Sequence, residues 1–597
     1  MNGHLAPTFA PVAVDVERRP DGTLVLRSPL TLGPIGRAVG DDLARWAHAA
    51  PARPFLAERA PDGTWRTVSY SAARARVQRL AQGLLDAGAA PERPVAIVSE
   101  NSIDHALVAL AAMEIGVPVA PISPAYARAG SDPARFADII AQLTPCVLVI
   151  DDRAGYATAL AAHPALTVID DAGALERAPT AAVSNAFAAA RPETIAKVLF
   201  TSGSTGSPKG VMTSHAMLRA NQLGISALWP LHDIEPPVLV DWLPWHHCFG
   251  GNFVFYLVLH RGGTLYIDDG KPLPALFDRT LRNLREIAPT AYFGVPRAYA
   301  LLAPQLERDA ALRVHFFSRL RKIFNAGAAL HDALWSTLDQ LGSTVGGRRV
   351  PVVASWGATE TAPLATGVHD LAAGSLSIGL PVPGVAIKLA PVDGRYELRV
   401  RGPSVMPGYW RNDVATRNAF DEEGYYRTGD AGELIDPARP AAGLRFGGRI
   451  AENFKLSSGT WVNSGALRLT LVDAVAPLII DAVLTGVNAD EIGALLFLDV
   501  PAARTFVGLP DADLSTLRAH PAIRGRIASG IGALNARSGG TSTRIARAAI
   551  IDDMPSRTHG EMTDKGSINQ RVALHVRSAD ADRLHAEPPA AETIFPA

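Results

Sequence analysis

The chain has little cysteine, almost no net charge and no long uninterrupted apolar run. Its 597 residues include two cysteines, Cys146 and Cys248. Two thiols build neither a disulfide framework nor a zinc site, and they fit a reducing compartment. Lys and Arg number 57 against 58 Asp and Glu, a formal net charge of −1. That balance leaves no overall basic field for nucleic acid or an acidic membrane surface. The apolar runs are short and interrupted by charge, so no transmembrane helix is expected. The stretch Met1 to Val14 lacks a basic region followed by an apolar core, so no signal peptide is read. The expectation is a cytoplasmic protein with no membrane span and no nucleic-acid partner. Apolar residues are plentiful: they make up 48% of the chain, with a mean hydropathy of +0.11. That suffices for a large buried core, and the length requires at least two domains.

Residues 1–40, rich in Pro, Gly and Arg, read as an irregular arm. Pro61-Asp62-Gly63 separates Phe55–Ala57 from Trp65–Val68, the pattern of a hairpin. Ser71 to Ala87 has apolar residues at helical spacing, with Gly88 as a stop. Val95–Val98, Val117–Ile122 and Val147–Ile150 are short β-branched runs separated by helical patterns at 103–115 and 133–143. That alternation predicts an α/β fold with a largely parallel, helix-covered βαβ sheet. The Ala-rich interval 154–190 is less informative.

The most distinctive stretch is Val198-Leu-Phe-Thr-Ser-Gly-Ser-Thr-Gly-Ser-Pro-Lys-Gly210. The apolar run Ile195–Phe200 reads as a strand entering a loop. The loop offers the hydroxyls of Thr201, Ser202, Ser204 and Thr205, the glycines Gly203 and Gly206, and one cation, Lys209. Glycines let backbone N–H groups turn toward an anion, hydroxyls add donors, and the lysine adds full charge. The set suits a polyphosphate. It is not a Walker loop, because Pro208 stands where that motif has the glycine before its lysine. Ser214 then caps a helix running to about Leu228.

Further along come Leu243-Pro-Trp-His-His-Cys-Phe-Gly250, Tyr292-Phe-Gly-Val-Pro-Arg297, Asn325-Ala-Gly-Ala-Ala-Leu330, Trp356-Gly-Ala-Thr-Glu-Thr361, Tyr425-Tyr-Arg-Thr-Gly-Asp430 and Gly448-Arg449-Ile450. Alone, each has an ordinary reading. Thr359-Glu360 would be a helix cap, Gly429-Asp430 a turn, and His246-His247 a corner without partners for a metal. Together and in this order, over roughly residues 41–572, they resemble the adenylate-forming superfamily of acyl-CoA synthetases, luciferases and peptide-synthetase adenylation domains.

That resemblance implies a large AMP- and acyl-binding domain over 41–449. It also implies a small mobile α+β lid over 450–572, hinged at Ala451, with 573–597 left as a frayed tail. The reaction implied is carboxylate plus ATP giving acyl-AMP and pyrophosphate, followed by CoA thiolysis, with Mg²⁺ as cofactor. Thr201, Ser202, Gly203, Ser204, Thr205, Gly206 and Lys209 would hold the phosphates. Gly327 and Ala328 would face adenine, with Trp356, Gly357 and Thr359 beside the nucleotide, Thr359 toward the α-phosphate. Asp430 can accept from both ribose hydroxyls, and Arg449 would reach the ribose or phosphate. A carboxylate beside a phosphate loop needs a divalent cation between them, so Glu360 is the Mg²⁺ ligand, with Thr205 as the second. His247, Phe293, Gly294 and Trp356 would line the acyl pocket; His246 has no role. Lys565 would enter the site and neutralise charge as the carboxylate attacks phosphorus.

The hinge position, normally Asp or Lys in the superfamily, is Ala451. Lys455 and Gly459, with one residue more between them than in many short-acyl relatives, belong to the hinge and the CoA step. The strings Glu452–Val462 and Glu561–Arg571 look most like bacterial feruloyl-CoA synthetases, as does Asn463 where most relatives soon carry an acidic residue. The implied substrate is ferulate or a related hydroxycinnamate. The alternatives are a long-chain fatty acyl-CoA ligase, an acyl-AMP ligase loading a carrier protein, and a nucleotide- or acyl-binding sensor without catalysis. A homodimer is carried as an assembly option.

Overall fold

A computed structural model of the chain describes residues 9–128, 133–201, 208–230, 235–273, 275–328, 330, 332–347, 349–369, 377–392, 394–556, 561–562 and 568–597. The chain forms two compact units. The first comprises Met1–Pro391, Leu398–Thr428 and Leu434–Arg445; the second, Val392–Glu397, Gly429–Glu433 and Phe446–Ala597. The class is α/β, with a large N-terminal and a smaller C-terminal part, as the sequence indicates.

The first unit contains a six-stranded sheet ordered 209–214, 195–201, 119–122, 95–98, 147–150, 168–169. All neighbours are parallel except 209–214, which runs antiparallel to 195–201. Val95–Val98 is buried at every position, as a central parallel strand covered on both faces must be. The helix Ile103–Glu114 follows it; Ser102 caps it by accepting from the His105 N–H, and its residues are almost all buried. Two further parallel groups complete the unit's α/β part: 238–241, 264–267 and 54–59, with 65–69 added antiparallel, and 291–294, 322–325 and 352–354. The expected hairpin about Asp62-Gly63 is present, as is the Ser214-capped helix His215–Leu228. The strand read as Val117–Ile122 begins at Val119, because Pro118 has no N–H to give a ladder.

Two expectations are corrected. The arm 1–40 is not irregular: Asp15–Arg18 and Leu24–Arg27 form a hairpin, and Leu24–Arg27 pairs with Ala386–Leu389. Asp21 and Gly22 supply the turn, the Asp21 side chain accepting from the Thr23 N–H, and Leu24, Val25 and Leu26 are buried. Polar composition hid a four-residue strand whose first three residues are apolar and buried.

The tail 573–597 is not frayed either. It starts inside the helix Gln570–Val576, continues as the helix Ser578–His585, and Ile594 exchanges two backbone hydrogen bonds with Ala548. Leu584 and Ile594 are buried, which secures the terminus.

The second unit has a sheet of 479–485, 492–498 and 545–550, the first pair antiparallel and the second parallel. Helices Ser464–Val475 and Pro521–Ala536 contribute to its apolar core through Leu467, Leu471, Ile523, Ile527 and Ile531. Asp430 and Arg449, read as the end of the large domain, fall within this unit.

Candidate functional site

In the first unit, Thr201 and Lys209 are register partners on adjacent antiparallel strands, so the two ends of the glycine–serine loop lie side by side. The Thr201 hydroxyl donates to the Lys209 carbonyl at 3.5 Å. Ser202, Gly203, Ser204, Thr205 and Gly206 lie outside the described residues, as does Lys565.

Tyr409 joins the end of this loop to Glu360. The Lys209 ammonium stands 5.5 Å from the Tyr409 ring centroid, and the Tyr409 hydroxyl donates to Glu360 Oε1 at 3.1 Å. Backbone bonds fix the same three segments. Trp410 N donates to Gly210 O at 2.7 Å, Met212 N to Gly408 O at 3.2 Å, and Met406 N to Glu360 O at 2.9 Å. Val211, Ala362, Met406, Tyr409 and Tyr426 pack as one apolar cluster beneath them. Burial, and then the Glu360 charge, push the Tyr409 phenol well above its ordinary value, so it stays a donor. The sequence reading missed Tyr409. Its one sequence signal is Pro407-Gly408-Tyr409-Trp410, an aromatic pair after a Pro-Gly turn and ahead of the Asn412 helix cap.

Glu360 is 9% exposed and lies in a short 3₁₀ turn, Thr359–Thr361. Its neighbour Thr359 donates to Cys248 Sγ at 3.5 Å, which brings the His246-His247-Cys248 segment against the Thr-Glu turn. Gly357 admits no side chain, since a Cβ there would collide with the Pro363 carbonyl. Trp356 is buried, and its carbonyl accepts from Ala365 N and Thr366 N. Among the described residues, no group of three or more His, Cys, Asp or Glu could hold a metal. A single recessed carboxylate near the strand that carries Lys209 is nonetheless a donor set that suits a Mg²⁺ carried by nucleotide phosphates, which takes one or two protein carboxylates and keeps its waters.

The strands Ala291–Gly294 and Lys322–Asn325 run parallel, with Phe293 beside Phe324 and Gly294 beside Asn325. Beyond them Gly327 takes φ +86° and, with Ala328, is exposed, so its backbone is open to a flat ligand. Asn325 Nδ2 holds the turn by donating to Ala328 O at 2.8 Å. Phe293 and Phe324 meet Phe253, at 5.6 and 5.3 Å between ring centroids, and Phe249 stands 5.6 Å from Phe324. Phe249 and Phe253 project from a π-helical turn, Phe249–Val254, a form frequent at functional sites. His247 is half-buried just before that turn; its carbonyl accepts from Gly251 N, and its ring lies 4.8 Å from that of His246.

In the second unit, Arg449 Nε meets Asp430 Oδ1 at 2.9 Å, with Asp430 5% exposed. The two residues assigned to the ribose are therefore neighbours. Ala451 is exposed in the short turn Ile450–Glu452. Lys455 is exposed on the two-stranded hairpin 454–455/461–462, with its ammonium 4.8 Å from the Trp461 ring, and Gly459 turns that hairpin at φ +77°. Asn463, the departure from the acidic pattern, caps the helix Ser464–Val475 by accepting from Ala466 N. Burial raises the pKa of Glu452, against the opposing pull of Arg468 and Arg449.

The sequence profile of the AMP-binding enzyme family matches residues 43–410. The chain is 26% identical over 595 residues to long-chain-fatty-acid–CoA ligase FadD15 of Mycobacterium tuberculosis, a match covering 88% of this chain and 94% of that one. It is 32% identical over 291 residues to anthranilate–CoA ligase of Pseudomonas aeruginosa, covering 47% of this chain and 51% of the relative. Across the curated relatives it matches, the chain spans from 6% to 94% of their length. Among solved structures, ATP-bound MatB from Rhodopseudomonas palustris superposes with TM-score 0.66 at 21% identity, covering 91% of this chain and 100% of that one; this likeness bears on the fold alone. The chain belongs to the AMP-binding enzyme family. Within it, the enzyme class is that of the ATP-dependent, adenylate-forming acyl-CoA ligases. Among the described residues no helix is long and apolar enough to cross a membrane.

Proposed function

We propose that this enzyme activates a hydroxycinnamate, ferulate or a close relative, as its acyl-adenylate and transfers it to CoA. The observation that supports an aromatic acid most directly is the ring cluster Phe249, Phe253, Phe293 and Phe324 at the segments assigned to the acyl group. The feruloyl-type strings at 451–462 and 561–571 and the partial likeness to an anthranilate ligase favour the same class.

The division of work follows from chemistry. Direct attack of a thiol on a carboxylate would have to expel oxide, whereas adenylation installs AMP as a leaving group. The carboxylate oxygen attacks the α-phosphorus and the bond to pyrophosphate breaks; the thiol sulfur then attacks the carbonyl and the bond to AMP breaks. Lys209, with Thr201 and the loop hydroxyls, is assigned to the phosphates. Tyr409 holds Glu360 where it would ligate Mg²⁺, which when bound offsets phosphate charge. Gly327 and Ala328 are assigned to adenine, Asp430 and Arg449 to the ribose, and Lys565 to the charge that builds during adenylation. The protein is proposed to work in the cytoplasm, singly or as a homodimer.

A panel of acids assayed by CoA-dependent AMP release tests the substrate class. Ferulate, coumarate and caffeate should exceed palmitate and acetate in kcat/KM. Palmitate leading the panel would transfer the assignment to a long-chain ligase, the second reading, which the likeness to FadD15 favours.

A further inference from the structure

Lys322 is 0% exposed, and among the described residues its Nζ has no hydrogen-bond partner. It stands 4.6 Å from the Trp229 ring centroid and 5.6 Å from that of Phe293. On its strand Lys322 points to the same face as Phe324, two residues on, whose ring lies 5.4 Å from Trp229 and also meets Phe293. Trp229 is itself held by its indole N–H, which donates to Val368 O at 2.8 Å. An amine buried over two aromatic rings costs desolvation. The ring faces attract its charge but leave its three N–H donors unused. Burial lowers this amine to about 7, with the Arg261 charge adding to the effect. A core that needed only volume here would be better served by methionine or leucine.

We propose that Lys322 is a specificity-determining residue of the acyl site: its Nζ hydrogen-bonds the para-hydroxyl oxygen at the far end of a hydroxycinnamate. This rests on the aromatic-acid reading above and sharpens it. Lys322 lies three residues before Asn325, where the strand ends and the segment assigned to adenine begins. At roughly 3.3 Å per residue that is about 10 Å, close to the roughly 8 Å from a cinnamate's carboxyl carbon to its para oxygen plus a hydrogen bond of about 2.8 Å. A benzoate is too short to reach, and an alkyl chain brings the amine no acceptor. A site built around a polar group discriminates strongly against the analogue that lacks it, because the buried donor is then left unpaired.

The test compares 4-coumarate with cinnamate, which differ by that hydroxyl, in acid-dependent pyrophosphate release by the full-length enzyme. The wild type should prefer coumarate at least about tenfold in kcat/KM. In Lys322→Met the ratio of the two kcat/KM values should fall to about one, because the coumarate hydroxyl loses its donor. Lys322→Gln, which keeps a donor, should fall between them and serves if the Met variant fails to fold. A wild-type ratio near one, or a ratio unmoved in a folded variant, overturns the assignment of Lys322 while leaving an aromatic-acid ligase in place. A wild type that activates neither acid overturns the substrate reading, and the lysine proposal with it.

Discussion

The two units hold their assigned residues in different ways. In the first, Glu360 is recessed, bonded through Tyr409 to the neighbourhood of Lys209, and held by one backbone bond from Met406 N, while two more bonds join the Tyr409 segment to the strand Lys209–Ser214. In the second, Ala451 and Lys455 are exposed on a short turn and a two-stranded hairpin, and the Asp430–Arg449 pair is recessed at Asp430. Preorganised groups stabilise developing charge without reorganising, whereas a segment that must change conformation cannot be embedded so firmly. The contrast predicts that changes in the first unit weaken nucleotide use throughout, while changes in the second separate the two half-reactions.

The largest effect should come from Lys565→Ala. Adenylation, read as acid-dependent pyrophosphate release, should fall by about a hundredfold or more, as for loss of a group that meets transition-state charge. Given chemically prepared feruloyl-AMP, the same variant should form feruloyl-CoA at close to the wild-type rate. Equal loss of both steps in a folded protein would break the comparison. Next, Lys209→Ala removes the proposed charge-assisted contact to phosphate, typically worth about 1.5–3 kcal/mol, so kcat/KM for ATP should drop roughly ten- to a hundredfold. A near-normal value would remove Lys209 from the phosphate site. Ala451→Pro fixes φ at the proposed hinge and should slow thiolysis several-fold while sparing pyrophosphate release. If adenylation fell instead, Ala451 would not be a pivot.

The Tyr409 contact offers a smaller, sharper test. Tyr409→Phe keeps the ring beside Lys209 and deletes one donor to Glu360. The loss should be a few-fold in kcat/KM for ATP, in line with about 0.5–1.5 kcal/mol for one hydrogen bond. Double-mutant analysis with Glu360→Gln should show that the two changes are not additive. Additive losses would mean that Tyr409 acts through packing alone.

Much of this arrangement was legible in the sequence, and the failures have physical causes. The parallel strands at 95, 119 and 147 announce themselves because strands buried on both faces are continuous apolar runs. The Ser214 cap and the Asp62-Gly63 hairpin are local, so local signals suffice. The arm and the tail were misread because Leu24–Leu26 and Ile594 gain their structure from partners far away in sequence, Ala386–Leu389 and Ala548. Tyr409 and Lys322 were invisible for the same reason. Only the fold brings Tyr409 to Glu360, 49 positions away, or Lys322 beneath Trp229.

The last prediction is read as stability rather than rate and concerns two buried lysines of the first unit. Burial brings both Lys197 and Lys322 to about 7. Lys197 Nζ donates to Gly251 O at 2.9 Å, whereas Lys322 Nζ has no partner among the described residues. An unfolded lysine titrates near 10.4, so between about pH 7 and pH 10 the unfolded chain holds the extra proton. Stability from each group therefore rises with pH across that window, by up to about 1.4 kcal/mol per unit. Below the window both states are protonated and the full cost of burying the ammonium is borne. Replacing Lys322 by Met removes that cost, so the variant should melt above the wild type at pH 6, and its advantage should shrink steadily toward pH 10. Lys197→Met removes the same cost but leaves the Gly251 carbonyl without its donor, a loss of about 1–3 kcal/mol, so its gain should be smaller at every pH. Melting curves of the three proteins at pH 6, 8 and 10 decide the matter. Parallel shifts that do not depend on pH would mean that Lys322 folds with its charge state unchanged, and its burial would then need a partner that the described residues do not provide.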